Sequence, residues 1–220
     1  MNTTSKPELI SFKLCPFVQR AIIILLEKAV DFEITYIDLE APPSWFQSVS
    51  PLGKVPILKA EGAVIFESAV ISEYLEESYS PQLHPQTPLQ RAHNRAWIEF
   101  GSELLFSQFR LYTATEESQI TQHKQDIEKK LAFLETTVTH TPFFNGAAFS
   151  IVDATYAPLM MRFELLSRQF ALDFYQHTPQ IQAWAQALLG RETVKKSVVA
   201  EFETLFLDWM QQKGNPLVNY

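Results

Sequence analysis

Only one cysteine occurs among the 220 residues, so no disulfide can form within the chain. That scarcity excludes a cysteine-stapled secreted scaffold and suits a reducing compartment. Long hydrophobic runs are missing as well. The longest candidate, Ala21 to Leu26, is bounded by Arg20 and Glu27 and falls far short of the ~20 apolar residues that span a bilayer. Met1 to Lys6 is polar and lacks a stretch of secretory-signal type, so the expectation is a cytoplasmic protein with no membrane partner. Positive charge is in deficit: the formal net charge is -7, which argues against a nucleic-acid partner. Glycine is sparse, and Gly53 stands alone with no Gly-rich phosphate loop around it. The five histidines, His84, His93, His123, His140 and His177, show no tight metal-ligand pairing and have no thiolate companions, so no metal is expected. Among them, His140 and His177 read as surface residues.

What remains has the apolar share, 46%, of an ordinary globular protein, with enough length to bury a core in one or two domains. The front of the chain alternates short patterns. Ile10, Phe12 and Leu14 alternate with Ser11 and Lys13 over Leu9 to Leu14, a strand period. Pro16 opens a helix to about Lys28, because proline at the first helical position gives up no needed hydrogen bond. The all-round apolar middle of that helix requires cover on more than one side. Phe32 to Ile37 repeats the strand pattern, and Glu40 to Gly53 is irregular. Val55 to Leu58, a turn at Glu61-Gly62, and Val64 to Phe66 read as a hairpin, followed by a helix over about Glu67 to Ser78. The order β-α-β, then β-β-α, implies a small mixed sheet with helices packed on it.

Pro81, Pro85 and Pro88 mark a linker, and everything beyond has helical spacing. Helices are predicted over about Leu89 to Tyr112, around Ile120 to Val138, after Ser150, over Pro179 to Leu189, and over Val194 to Gln212. Ser150 and Asp153 form a variant capping box, with Phe149 and Ala154 at staple positions. The expected architecture is therefore α/β plus all-α, with an α/β domain over residues 1–79 and an all-helical domain over residues 88–220.

Three places can carry chemistry. Cys15 follows a strand and precedes Pro16, which puts it near the N-cap of the first helix. Unpaired amides and the helix dipole there favour a thiolate and can draw a cysteine pKa from ~8.5 down to ~3.5–7.5. A lone cysteine is more often a small buried apolar residue, but the strand–Cys–Pro–helix context reverses those odds. The residue three positions on is Val18, so a resolving thiol must come from outside the chain, and glutathione is the obvious cellular supplier. Second, Val55-Pro56 places proline in a strand. Either an edge strand carries an ordinary trans proline, or a cis bond leaves the Val55 backbone free to bind an extended peptide. Third, Glu67-Ser68 opens a helix whose amides can bind a carboxylate, or Ser68 merely caps it.

Taken together these residues resemble the glutathione transferase superfamily, nearest to its omega class and bacterial relatives. The resemblance rests on Cys15-Pro16-Phe17 with Arg20, Trp45-Phe46, and Pro51 through Pro56. It continues with Phe66 through Leu75, and with Asn145-Gly146 through Ser150 and Asp153. It implies a thioredoxin-like N-terminal domain followed by a helical domain, with glutathione as co-substrate. By position, it implies that Cys15 is the nucleophile forming a mixed disulfide with glutathione, with Phe17 beside the thiol. Val55 would bind the cysteinyl backbone of glutathione with Pro56 cis, and Glu67 and Ser68 would hold the γ-glutamyl end. Arg162 and Trp184 would belong to the second-substrate pocket. Pro42 stands where omega relatives often carry a lysine near the glycyl carboxylate, and Lys54 is the candidate substitute. A homodimer through the long helix and the α/β domain is implied too. The leading expectation is a glutathione-dependent thiol transferase or reductase. The alternatives are a conjugating transferase detoxifying hydrophobic electrophiles, or a non-catalytic glutathione- or ligand-binding protein. Trp97, Phe100, Phe106 and Phe109, on the long helix, read as core or interface.

Overall fold

The computed structural model describes residues 6–138 and 142–218; Met1 to Ser5 and His140 lie outside them. Strands β1 (Glu8–Ser11), β2 (Glu33–Tyr36), β3 (Ile57–Ala60) and β4 (Ala63–Phe66) form one sheet in the order β2-β1-β3-β4. The pair β1–β2 is parallel, while β1–β3 and β3–β4 are antiparallel. The β3–β4 turn has positive φ at both Glu61 (53°) and Gly62 (80°), as a tight two-residue hairpin requires. Helix α1 (Pro16–Glu27) is buried from Val18 through Leu25, and it is covered by α3 (Ser68–Ser78) and by α6 (Ile151–Phe170). That two-sided cover accounts for its continuous apolar middle.

The mixed sheet with α1, a short α2 (Phe46–Val49) and α3 forms a thioredoxin-like N-terminal domain, and the helical C-terminal domain follows. A buried ionic clamp holds the connection between them. Lys28 Nζ meets Glu76 at 2.7 Å and donates to the carbonyls of Tyr79 and Pro81 at 2.7 and 2.6 Å. Glu76 in turn accepts from the amides of Leu83 and His84 at 2.8 Å.

In the helical part, α4 (Pro88–Tyr112) packs on α5 (Glu117–Glu135) and on α6. Gly101 permits the close crossing of α4 and α6. A Cβ there would meet Thr155 Cγ2 at 2.9 Å. The capping box is present: Asp153 accepts from the Ser150 amide at 2.8 Å, while Ser150 Oγ accepts from the Asp153 amide. One expectation fails. Val194 to Gln212 is not a single helix but α8 (Glu192–Lys195) and α9 (Phe202–Gln212), with α7 (Pro179–Gly190) before them. Ser197 breaks the run, because its hydroxyl bonds back to the Val194 carbonyl at 2.6 Å and accepts from Gln19 on α1. Strand limits also shift: β1 ends at Ser11, and β3 begins only after Pro56.

Candidate active site

The register Ile10↔Ile57 runs the chain entering β3 beside the chain leaving β1. Val55 is thereby carried to Cys15, whose Sγ lies 3.9 Å from the Val55 carbonyl oxygen. The Val55-Pro56 bond is cis. Cys15 occupies the N-cap of α1 with φ −74° and ψ 116°, Pro16 takes the first helical position, and the Cys15 amide is anchored on the Phe12 carbonyl at 3.0 Å.

The thiol does not follow the expectation from its helix end. Burial pushes the Cys15 thiol above its ordinary value. The amides of Val18 and Phe17 and the charges of Arg162 and Arg20 pull it down without cancelling that cost. The dipole argument considered the helix alone, whereas Cys15 is part-buried, with Ser197 and Val198 of the helical part lining the crevice beside it. Cys15 faces a crevice of about 10 Å³, room for a single water. Lys13, Gln19, Tyr36, Ser197 and Val198 line it with Cys15, so both halves of the chain form its walls.

Phe17 is part-buried, 5.3 Å from the Phe106 ring, and the Arg20 guanidinium lies 4.9 Å from its ring centroid. Arg20 Nη1 donates to Ser68 Oγ at 3.3 Å and to Ser102 Oγ at 3.2 Å. Ser68, buried, opens α3, and the exposed Glu67 before it turns the chain with φ 70°. The exposed Lys54 has both its amide and its carbonyl bonded to Ser50 Oγ at 2.8 Å. Contacts thus connect Cys15 with Val55, and Phe17 with Ser68 through Arg20.

Arg162 and Trp184 require correction, because neither exposes surface to a pocket. Arg162 lies under α1, donating to Leu14 O, Gln19 Oε1 and Pro158 O, each at 2.8 Å. Trp184 Nε1 donates to Asp153 Oδ1 at 2.6 Å, and its ring packs on Tyr156 and Phe144. Both support the helical domain from inside. Phe106 and Phe109, read from the sequence as core or interface, are roughly half exposed in the single chain. Phe106 packs on Phe17, and Phe109 reaches Trp209 of α9 at 6.1 Å, which builds an aromatic wall. Their spacing of three on one helix face was the available signal, but nothing local tied that face to Cys15.

Residues 14–78 match the family model for the glutathione S-transferase N-terminal domain, and residues 117–187 match that for the C-terminal domain. The chain belongs to the glutathione S-transferase family, and it is a transferase enzyme of that family. Within it, the chain resembles the omega class. It is 31% identical to glutathione S-transferase omega-1 of Sus scrofa over 183 residues, 81% of this chain and 75% of the relative. It is 28% identical to glutathione S-transferase DHAR3, chloroplastic, of Arabidopsis thaliana, over 89% of this chain and 72% of that one. The crystal structure of glutathione transferase Omega 3C from Trametes versicolor superposes with a TM-score of 0.79 at 29% identity, covering 88% of this chain and 89% of that one. Among the described residues, no helix is long and apolar enough to cross a membrane, and no group of His, Cys, Asp and Glu could hold a metal ion.

Proposed function

We propose that the chain is a glutathione-dependent thiol transferase and reductase working through a Cys15 mixed disulfide. The observation that carries this reading is the position of Cys15 at the N-cap of α1, 3.9 Å from the Val55 carbonyl, on a crevice shared by both domains. In the forward step the Cys15 thiolate attacks the glutathione sulfur of a mixed disulfide. The Cys15–glutathione disulfide forms, the bond between the glutathione sulfur and the substrate sulfur breaks, and the substrate thiolate leaves and takes up a proton. A second glutathione thiolate then attacks that adduct, releasing oxidised glutathione and the free Cys15 thiolate. Dehydroascorbate-type oxidants belong to the same class of two-electron acceptors.

In this reading the Val55 backbone binds the cysteinyl part of glutathione, and the cis Pro56 fixes its approach. Glu67 and Ser68 hold the γ-glutamyl end, Phe17 flanks the thiol, and Lys54 faces the glycyl carboxylate. Incubating reduced protein with oxidised glutathione and measuring intact mass tests it. The wild type gains one glutathione, reduced glutathione reverses the gain, and Cys15→Ala gains none. An unmodified wild type that still binds glutathione would overturn the exchange cycle.

One observation favours conjugation of glutathione to hydrophobic electrophiles instead. Burial raises the Cys15 thiol, and the aromatic wall of Phe17, Phe106, Phe109 and Trp209 suits a flat apolar substrate. Conjugating activity that persists in Cys15→Ala would select that reading. A homodimer belongs to the proposal as well. Val64 and Phe66 on the edge strand β4, Val70 on α3 and Leu89 on α4 are exposed apolar side chains, and light scattering reads the mass in solution. A working free thiol also suits the cytoplasm.

A further inference from the structure

Two arginines near the thiol lack what buried arginines normally have. Arg20 is 1% exposed and Arg162 0%, and among the described residues no carboxylate lies within ion-pair distance of either. Arg20 Nη1 bonds two neutral hydroxyls, Ser68 and Ser102, while its Nε and Nη2 have no partner among the described residues. Arg162 donates to two carbonyls and an amide oxygen, and its Nε has no such partner. Burial pulls Arg20 down to about 10, so it remains a cation at neutral pH. A buried charge without an opposite charge is costly, and proteins that keep one commonly use it.

Both cations lie close enough to Cys15 for their charges to favour its thiolate. Arg162 holds the carbonyl of Leu14, the peptide that leads into Cys15, and Arg20 lies over Phe17, two residues after it. The other groups near the thiol do not supply a free positive charge. Lys13 is paired with Glu201 at 3.2 Å, Tyr36 of β2 is neutral, and Tyr112 of α4 is pushed up to about 12 by burial and is neutral too. Glu99 on α4 is exposed, and Tyr156 on α6 is held neutral by burial. Among the described residues, the charges that favour an anion at Cys15 are these two, together with the amides of Val18 and Phe17 at the start of α1.

We infer that Arg20 and Arg162 are the counter-ions of the Cys15 thiolate, positioning residues whose charge is left unpaired in the folded protein so that the thiol can ionise inside a buried crevice. The inference rests on reading Cys15 as the working thiol and deepens it. Pre-placed charge of this kind costs no reorganisation when the anion forms. It also stabilises the thiolate when it leaves from the glutathione adduct, which is the slow direction for a poor leaving group.

The chain has a single cysteine, so alkylation by iodoacetamide reports Cys15 alone. The rate is measured against pH for wild type, Arg20→Met, Arg20→Lys and Arg162→Met, each checked for a cooperative melt. Loss of either charge moves the inflection to higher pH, lowering the rate at pH 7 by about tenfold for each unit moved. Arg20→Lys keeps the inflection near that of the wild type. An unmoved inflection in folded Arg20→Met and Arg162→Met overturns the inference and makes both arginines purely structural. If Arg162→Met does not fold, the Arg20 pair decides alone. Alkylation needs no glutathione, so this test is independent of the proposed cycle. A glutathione adduct that forms as expected beside an unmoved inflection keeps the cycle and removes the counter-ions. A moved inflection with no adduct does the reverse.

Discussion

Helix α1 buries a cation near each end, and the two are treated in opposite ways. Lys28, at the C-cap, has an opposite charge and two carbonyls on its ammonium group, and its partner Glu76 is itself bonded by the amides of the linker. Arg20, one turn into the other end, has two neutral hydroxyls and two unbonded nitrogens. Both residues are buried, so burial alone does not explain the difference. Where the chain needs only to be held, the charge is compensated; beside the thiol it is not.

Substitutions at the two ends of α1 should separate these roles. Lys28→Met leaves Glu76 as an uncompensated buried carboxylate, and chemical denaturation should show a loss of about 3–5 kcal/mol. If the loss is below about 1 kcal/mol, the clamp is not holding the linker and the contrast collapses. Next in size is the neighbouring carboxylate Glu73. Burial works to raise it, but hydrogen bonds and charge from Arg95 and His84 outweigh this and hold it at about 2, below its ordinary 4.5. A folded-state value depressed in this way stabilises the protein above about pH 4.5, and that stability is lost as the pH falls toward 2. Since Glu73 is partly exposed, its share is about 1–2 kcal/mol. Unfolding free energy measured from pH 7 down to pH 3 should therefore fall less steeply in Glu73→Gln than in wild type.

Lys13→Ala, which breaks the exposed pair with Glu201 at the crevice mouth, should destabilise less than the loss of the Glu73 contacts, and less still in high salt. The smallest effect on stability is expected from Arg20→Met. Removing the buried cation offsets the lost hydroxyl bonds, leaving unfolding free energy within about 1 kcal/mol of wild type. A loss as large as that of Lys28→Met would mean that Arg20 is structural as well.

The parts of the molecule that could be read in the sequence are those set by neighbours in the chain. Pro16 at the first turn of α1, the Glu61-Gly62 hairpin and the Ser150–Asp153 box are all local, and all are present. Cys15 could be located because a helix start is a local feature. Its ionisation could not be read, because burial raises it and the crevice around it is lined by residues as distant in the chain as Ser197 and Val198. The break between α8 and α9 escaped the helical spacing for the same reason: Ser197 is committed to Gln19, 178 residues away. Arg162 and Trp184 were placed in the pocket from resemblance, and what decides their burial is which face of α6 and α7 meets α1 and Asp153. No short-range pattern carries that information.

The bond from Arg162 to the Leu14 carbonyl spans 148 residues. A ribosome therefore delivers Cys15 roughly 150 residues before it delivers Arg162. During that interval Cys15 lies at a helix start without α6, without the aromatic wall and without the crevice that excludes water. Cys15 is made first and its surroundings late, so under the proposed role of Arg162 the setting of the thiol is complete only once the helical domain has folded.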